Sequence, residues 1–183
     1  MSDLLKRPTP EQVKRLPKAL LHDHLDGGLR PQTIIDIANE IGYDALPTKD
    51  AAELAIWFRE SCDSGSLVRY LETFGHTIAV MQRREDIVRV ARECAIDLAR
   101  DGVVYAEVRG APELFVDKGL SLSQVIEATL EGYRLGEADA KAEGFQIRVV
   151  SLLCGMRQNK RSQEVAELVV KYRDQGVGGF DIA

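Results

Sequence analysis

The sequence predicts an α/β protein with a parallel sheet, built as the N-terminal half of a (β/α)8 TIM barrel: about four βα units with a helical insertion after the first strand. Three observations carry this expectation. Short, nearly unbroken apolar runs alternate with longer stretches whose apolar residues recur at helical spacing, the pattern of strands buried between covering helices. About 75 residues of helix and loop separate the first run from the second, far more than a crossover needs. The last run, Gly178 to Ala183, reads as a strand still running, without the following helix that a parallel strand requires. A whole barrel typically takes about 250 residues, so half of one is expected, truncated at about the fourth strand.

In chain order, Thr9-Pro10-Glu11-Gln12 is a helix start, with Thr9 as N-cap, Pro10 at the first helical position and Gln12 closing a capping box. That helix ends before Pro17. The first strand then runs through Leu20 and Leu21. Pro31 opens a helix with Ile34, Ile35, Ala38 and Ile41 at helical spacing, capped by Gly42. Amphipathic helices are expected over Asp50 to Glu60, Ser66 to Met81 and Arg84 to Asp101. A second strand follows at Val103 to Val108, a helix at Ser123 to Ala142, and a third strand at Phe145 to Leu153. A helix at Gln163 to Arg173 leads to the fourth strand, Val177 to Ala183. The long insertion is expected to stand over the C-terminal end of the sheet, where a lid belongs.

Composition narrows the function classes. With 183 residues, 45% of them hydrophobic, the chain can bury the core of a single domain, residues 1–183. Its 24 basic and 29 acidic residues contain no Lys/Arg run that would suit a nucleic-acid groove. No apolar stretch of about 18 residues is present for a membrane span. Met1 to Pro8 lacks the apolar centre of a signal peptide, and three widely spaced cysteines suit reduced thiols, so a cytoplasmic location is expected.

The chemistry concentrates in Leu20 to Gly28. Read as a strand, this stretch puts His22, His24 and Asp26 on one face, because strand side chains alternate. Two imidazoles about 7 Å apart at Cα can converge on one ion at about 2.0–2.1 Å. Gly27-Gly28 lets the chain turn off the strand, and active sites of parallel α/β proteins collect at that end. From spacing alone, a metal site and a decorated strand end both remain open.

His22-Asp23-His24-Leu25-Asp26-Gly27 resembles the HxHLDG signature of the adenosine deaminase family, within the metal-dependent amidohydrolases. The likeness extends to Ser66-Leu67 with Tyr70-Leu71 and Phe74, which resembles the family's apolar segment near the purine pocket. Gly102 to Arg109, Ser151 to Arg157 and Gly179 to Ala183 resemble its second, third and fourth strands. The resemblance implies hydrolytic deamination of adenosine and 2′-deoxyadenosine to inosine and ammonia by a zinc-activated water, with one Zn2+ per complete site. It implies His22 and His24 as metal ligands, Asp26 as acceptor from a ribose hydroxyl, and His24 and Phe74 as substrate contacts. It also implies that the catalytic groups proper lie beyond Ala183: a third metal His, a metal Asp, a Glu that protonates the ring and a further His. The implied partners are a purine nucleoside and the C-terminal half of the barrel, on the same or a companion chain, and this half alone is expected to be inactive. Two other readings stay open, a deaminase of another 6-aminopurine or modified nucleoside and a non-catalytic nucleoside-binding half-barrel. The zinc deaminases built on H-x-E and P-C-x-x-C are excluded, since no C-x-x-C occurs.

Further residues carry blander expectations. Glu107 and Arg109 share a face and read as partners in salt bridges that tie strands together. Cys154 reads as a core thiol and Arg157 as a structural cation. Tyr70, Leu71 and Phe74 form a helical apolar stripe, usually core. His76 reads as a surface or helix-packing residue, and Asp23 faces away from the histidines.

Overall fold

A computed structural model of the chain describes residues 7–183. Met1 to Lys6, most of the opening stretch read above for a signal peptide, lie outside them. Helix α1 (Pro10–Arg15) has its capping box: Thr9 Oγ1 accepts the Gln12 N–H at 3.2 Å and Gln12 Oε1 accepts the Thr9 N–H at 2.8 Å. Strand β1 (Lys18–His24) follows, then a short 3-10 turn, Leu25–Gly27.

Four helices fill the long gap before the second strand. Helix α2 (Pro31–Ile41) ends on Gly42, whose φ of 71° closes the last turn in the left-handed conformation. Helix α3 (Ala51–Cys62) starts from Asp50, whose carboxylate accepts the N–H groups of Ala52 and Glu53. Helix α4 (Leu67–Ala79) starts from Ser66, and α5 (Arg84–Arg100) runs back to the sheet. After them come β2 (Val103–Gly110), α6 (Leu122–Ala142), β3 (Arg148–Gly155), α7 (Ser162–Tyr172) and β4 (Val177–Ile182). The four strands are parallel and ordered β1-β2-β3-β4, as expected of successive barrel units. Among the described residues no helix is long and apolar enough to cross a membrane.

The third strand starts later than expected. Phe145 instead closes the turn that follows α6, its N–H returning to Ala140 O at 2.9 Å, and β3 starts only at Arg148. Its apolar character mimics a strand residue, but the side chain is exposed.

The main core lies between the sheet and its helices. Ile34, Ile37, Leu54, Ile87, Ala106 and Val108 are each at most 1% exposed in it. Burying each of the larger side chains contributes roughly 1.5–3 kcal/mol. Because Ala106 and Val108 turn to the helices, alternation puts Tyr105, Glu107 and Arg109 on the opposite face, the interior of the curving sheet. That face carries the candidate chemistry.

Candidate metal and nucleoside site

The histidines meet, but not by simple alternation. The sequence reading put residues 22, 24 and 26 on one extended strand, whereas β1 stops at His24 and Asp26 sits in the 3-10 turn. Within β1, Leu21 pairs with Glu107 and Asp23 with Val108, so His22 is an extra residue in a bulge. Its φ is 67°, the one positive value among the described non-glycine residues. An L-residue there costs roughly 1–2 kcal/mol. The bulge restores what alternation would have lost downstream: Asp23 turns to the helix side opposite Val108, while His24 pairs with Arg109 on the interior side.

The two rings stand edge to face, with centroids 5.6 Å apart. A ring nitrogen about 2.0–2.1 Å from an ion puts its ring centre about 3.2 Å away, so two imidazoles on one tetrahedral ion have centres about 5.2 Å apart. The pair therefore fits a shared metal ion. Among the described residues no group of three or more potential ligands forms, so these two would be its only donors from this segment.

Asp26 lies beside them, 7% exposed, its Oδ1 3.9 Å from His24 Nδ1. Burial raises the Asp26 carboxyl above the ordinary carboxylate value, against the opposing pull of His24. Burial likewise lowers the His24 imidazole below the ordinary histidine value; the Arg109 cation adds to this and Asp26 opposes it. For both groups desolvation outweighs their mutual attraction. Asp23 holds the backbone here, its Oδ1 accepting the His24 N–H at 2.9 Å.

A cavity of about 320 Å3 opens next to this cluster, between α2, α3 and α4. Asp26 and Gly27 line its near end, and Ile34, Phe58, Tyr70 and Phe74 supply apolar walls. Its size and lining are those of a small-molecule pocket. The Phe74 ring is 6.2 Å from that of His24, so His24 stands beside a wall of the cavity. Of the two placements expected of the stripe on α4, core packing or the cavity side, two of its residues take the second. Leu67 and Leu71 are 70% and 55% exposed, while Tyr70 and Phe74 face the cavity. Helical periodicity locates a stripe but does not say what covers it.

What the sequence does not announce is that Arg109 lies against His22 and Cys154. The strand-tying salt bridge expected of it is present, with Asp181 on β4 at 3.2 Å, while Glu107 accepts from Tyr105 Oη at 2.9 Å. Arg109 also contacts His22 and donates to Cys154 Sγ, so Cys154 is buried, as expected, but against a cation. Only strand register brings these four residues together. Arg157, read as a structural cation, is exposed beyond the end of β3.

His76 packs in the insertion, as one of its expected placements had it. Its Nδ1 is 2.8 Å from Tyr43 Oη and its ring stands 5.3 Å from that of Trp57. Burial lowers its pKa below 6.5. The folded state therefore favours the neutral ring, and the associated stability is present above about pH 6.5 and lost as pH falls through the lowered folded value. We expect His76→Phe, which keeps the aromatic packing, to lose less stability than the wild type between pH 7.5 and 5. Urea-unfolding midpoints at the two pH values read this directly; equal losses would assign the acid sensitivity elsewhere.

Comparisons with known proteins show the family and the fold. The family model described as Adenosine deaminase matches residues 17–183. Adenosine deaminase 1 of Streptomyces coelicolor is 61% identical over 178 residues, covering 97% of this chain and 45% of that protein. Adenosine deaminase of Mycobacterium ulcerans is 54% identical over 176 residues, covering 96% and 49%. The chain thus spans about half the length of the curated relatives it matches. Among solved structures, the Arabidopsis N6-mAMP deaminase superposes with a TM-score of 0.78 at 28% identity, over 94% of this chain and 52% of that one. A Burkholderia ambifaria amidohydrolase with bound Zn superposes with a TM-score of 0.75 at 22% identity, over 99% and 48%, a likeness of fold alone. The four βα units are the N-terminal half of a barrel of this fold, and the chain belongs to the adenosine deaminase family.

Proposed function

We propose that residues 1–183 form one domain-sized half of a zinc-dependent aminohydrolase that converts adenosine and 2′-deoxyadenosine to inosine and ammonia. The observation that carries this reading is the placement of the His22 and His24 rings, 5.6 Å apart, with His24 beside Asp26 and Phe74, which line an apolar cavity. In it His22 and His24 hold Zn2+, which when bound supplies a water made nucleophilic near neutral pH. His24 and Phe74 flank the purine, and the buried Asp26 carboxylate accepts a hydrogen bond from a ribose hydroxyl. A buried acceptor of this kind rejects a ligand that lacks the matching donor, which favours a nucleoside over a free base.

Two donors leave too many positions on the ion to water, so the remaining ligands and proton-transfer groups come from further βα units. Relatives of about twice the length support their being on the same polypeptide. Three unpaired cysteines suit a reducing, cytoplasmic setting. The likeness to an N6-mAMP deaminase keeps a modified or phosphorylated 6-aminopurine as the second reading.

The test is turnover by the complete barrel, these residues together with the remaining units, on adenosine, adenine, AMP and N6-methyl-AMP. Adenosine is expected to give the highest kcat/KM, and Asp26→Ala is expected to lower it by about 10²-fold or more on adenosine, leaving adenine little changed. A preference for either monophosphate would replace this reading with the second one.

A further inference from the structure

The cavity beside His24 runs further than the nucleoside reading uses. A Cβ on Gly27 would fall 3.8 Å from Phe74 Cε1, so the Asp26 end of the cavity meets the Phe74 ring. The Tyr70 ring stands 5.3 Å from that of Phe74, one turn back along α4, a step of about 6 Å. Arg59 and Cys62, in the last turn of α3, line the cavity too, and the short 63–66 connection sets that turn next to the one carrying Tyr70. Ala55 and Phe58 supply apolar wall between the two ends. Arg59 is the one basic side chain in this lining. A cation in the last turn of a helix offsets the helix dipole wherever it points, which does not require it to face a cavity. Among the described residues its side chain has no hydrogen-bond or ion-pair partner, whereas Arg30, Arg83 and Arg89 around the same helices are all paired with carboxylates.

We infer that this stretch is a subsite for a short apolar arm on the 5′ carbon of an adenosine, and that Arg59 takes a carboxylate at the arm's end; this rests on the nucleoside reading above. With the purine between His24 and Phe74 and the ribose at Asp26, the 5′ carbon is the part of the nucleoside that leads onward. The other ribose hydroxyls stay available to Asp26. Apolar walls suit a thioether or methylene arm, and about four bonds of roughly 1.5 Å span the turn from Phe74 to Tyr70. The guanidinium then matches a carboxylate with two parallel hydrogen bonds. A phosphate carried directly on the ribose fits less well. Its charge would lie against Phe74 and near the buried Asp26 carboxylate before it reached Arg59.

The experiment compares kcat/KM of the complete barrel on adenosine, AMP and two near-isosteric analogues, 5′-deoxy-5′-(2-carboxyethylthio)adenosine and 5′-deoxy-5′-(3-methylbutylthio)adenosine. The wild type is expected to favour the carboxylate over the neutral analogue by about tenfold, the order of a charge-assisted hydrogen bond to a part-solvated group. Arg59→Ala is expected to abolish that preference and Arg59→Lys to keep part of it. Ala55→Phe, which fills the subsite, is expected to lower both analogues by about tenfold relative to adenosine. A preference that survives in Arg59→Ala, or both analogues falling more than about 10²-fold below adenosine in the wild type, would overturn the inference and leave the adenosine reading standing. An Arg59-dependent gain for AMP in place of the carboxylate analogue would overturn it too. A barrel that deaminates neither adenosine nor either analogue would overturn both.

Discussion

Replacing His22 with Ala in the complete barrel is expected to remove bound zinc and lower adenosine turnover to below about one-thousandth of wild type. The magnitude follows from what the ion supplies: a water whose pKa falls from 15.7 to about 7 has no substitute among neutral side chains. His22 is one of only two potential donors that this segment turns toward each other. The position also carries strain, and the strain allows a sharper version of the experiment. At φ 67° an alanine keeps the backbone penalty, whereas a glycine loses it. With metal removed by chelator, His22→Gly should therefore be more stable than wild type by about 1 kcal/mol, although it is equally inactive. Stability and activity would move in opposite directions at one residue. Metal content, turnover and urea unfolding on the two variants separate the cases. Retained zinc and turnover in His22→Ala would remove His22 from the metal site, and a destabilised His22→Gly would show that the bulge is not strained.

Much of the architecture was legible because local chemistry announces it. Thr9, Asp50 and Ser66 are each side-chain caps whose partners lie within three residues, so their signal survives in one dimension, whereas the equally local Ser121–Gln124 capping box starts α6 ahead of the Ser123 expected. The meeting of His22 and His24 was legible too, but for a reason the structure replaces. Nothing in Leu-Leu-His-Asp-His marks a bulge; a glycine would have, and the strain is instead borne by a histidine. Strict alternation from a regular strand would also have carried Asp26 into line, whereas it reaches the site from a 3-10 turn. The Arg109 hub was out of reach for a different reason. His22, Arg109, Cys154 and Asp181 are joined only by the pairing of His24 with Arg109, of Arg109 with Leu152 and of Cys154 with Asp181, and register across parallel strands leaves no local signature. The outward Leu67 and Leu71 show the same limit at the level of a helix: period is a property of the segment, burial a property of its neighbours.

One packing interaction holds the half-barrel's helical layer close, and it predicts the largest stability losses. Helices α5 and α6 approach through Gly132 and Gly136, one turn apart on α6. A Cβ on Gly132 would fall 2.5 Å from Val88 O and 2.6 Å from Ala91 Cβ; on Gly136 it would fall 2.4 Å from Arg92 O and 2.7 Å from Ala95 Cβ. The opposing atoms are backbone and the first carbon of a side chain, so no rotamer change relieves the overlap and the helices must part. Parting them loosens the core around Ala91, Ala95 and Ala128, all fully buried. Gly136→Ala gains about 1 kcal/mol of helix propensity, against an overpacking cost of roughly 3 kcal/mol or more. The expected net loss is about 2 kcal/mol, a fall in Tm of roughly 4–8 °C for a domain of this size. Gly75→Ala on α4 is the control, because a Cβ there meets nothing within 4 Å. Only the propensity gain applies at that site, so Tm should hold or rise slightly. Equal thermal shifts in the two variants would mean that the α5–α6 approach has slack, and that the small residues on this seam are not what sets the helix spacing.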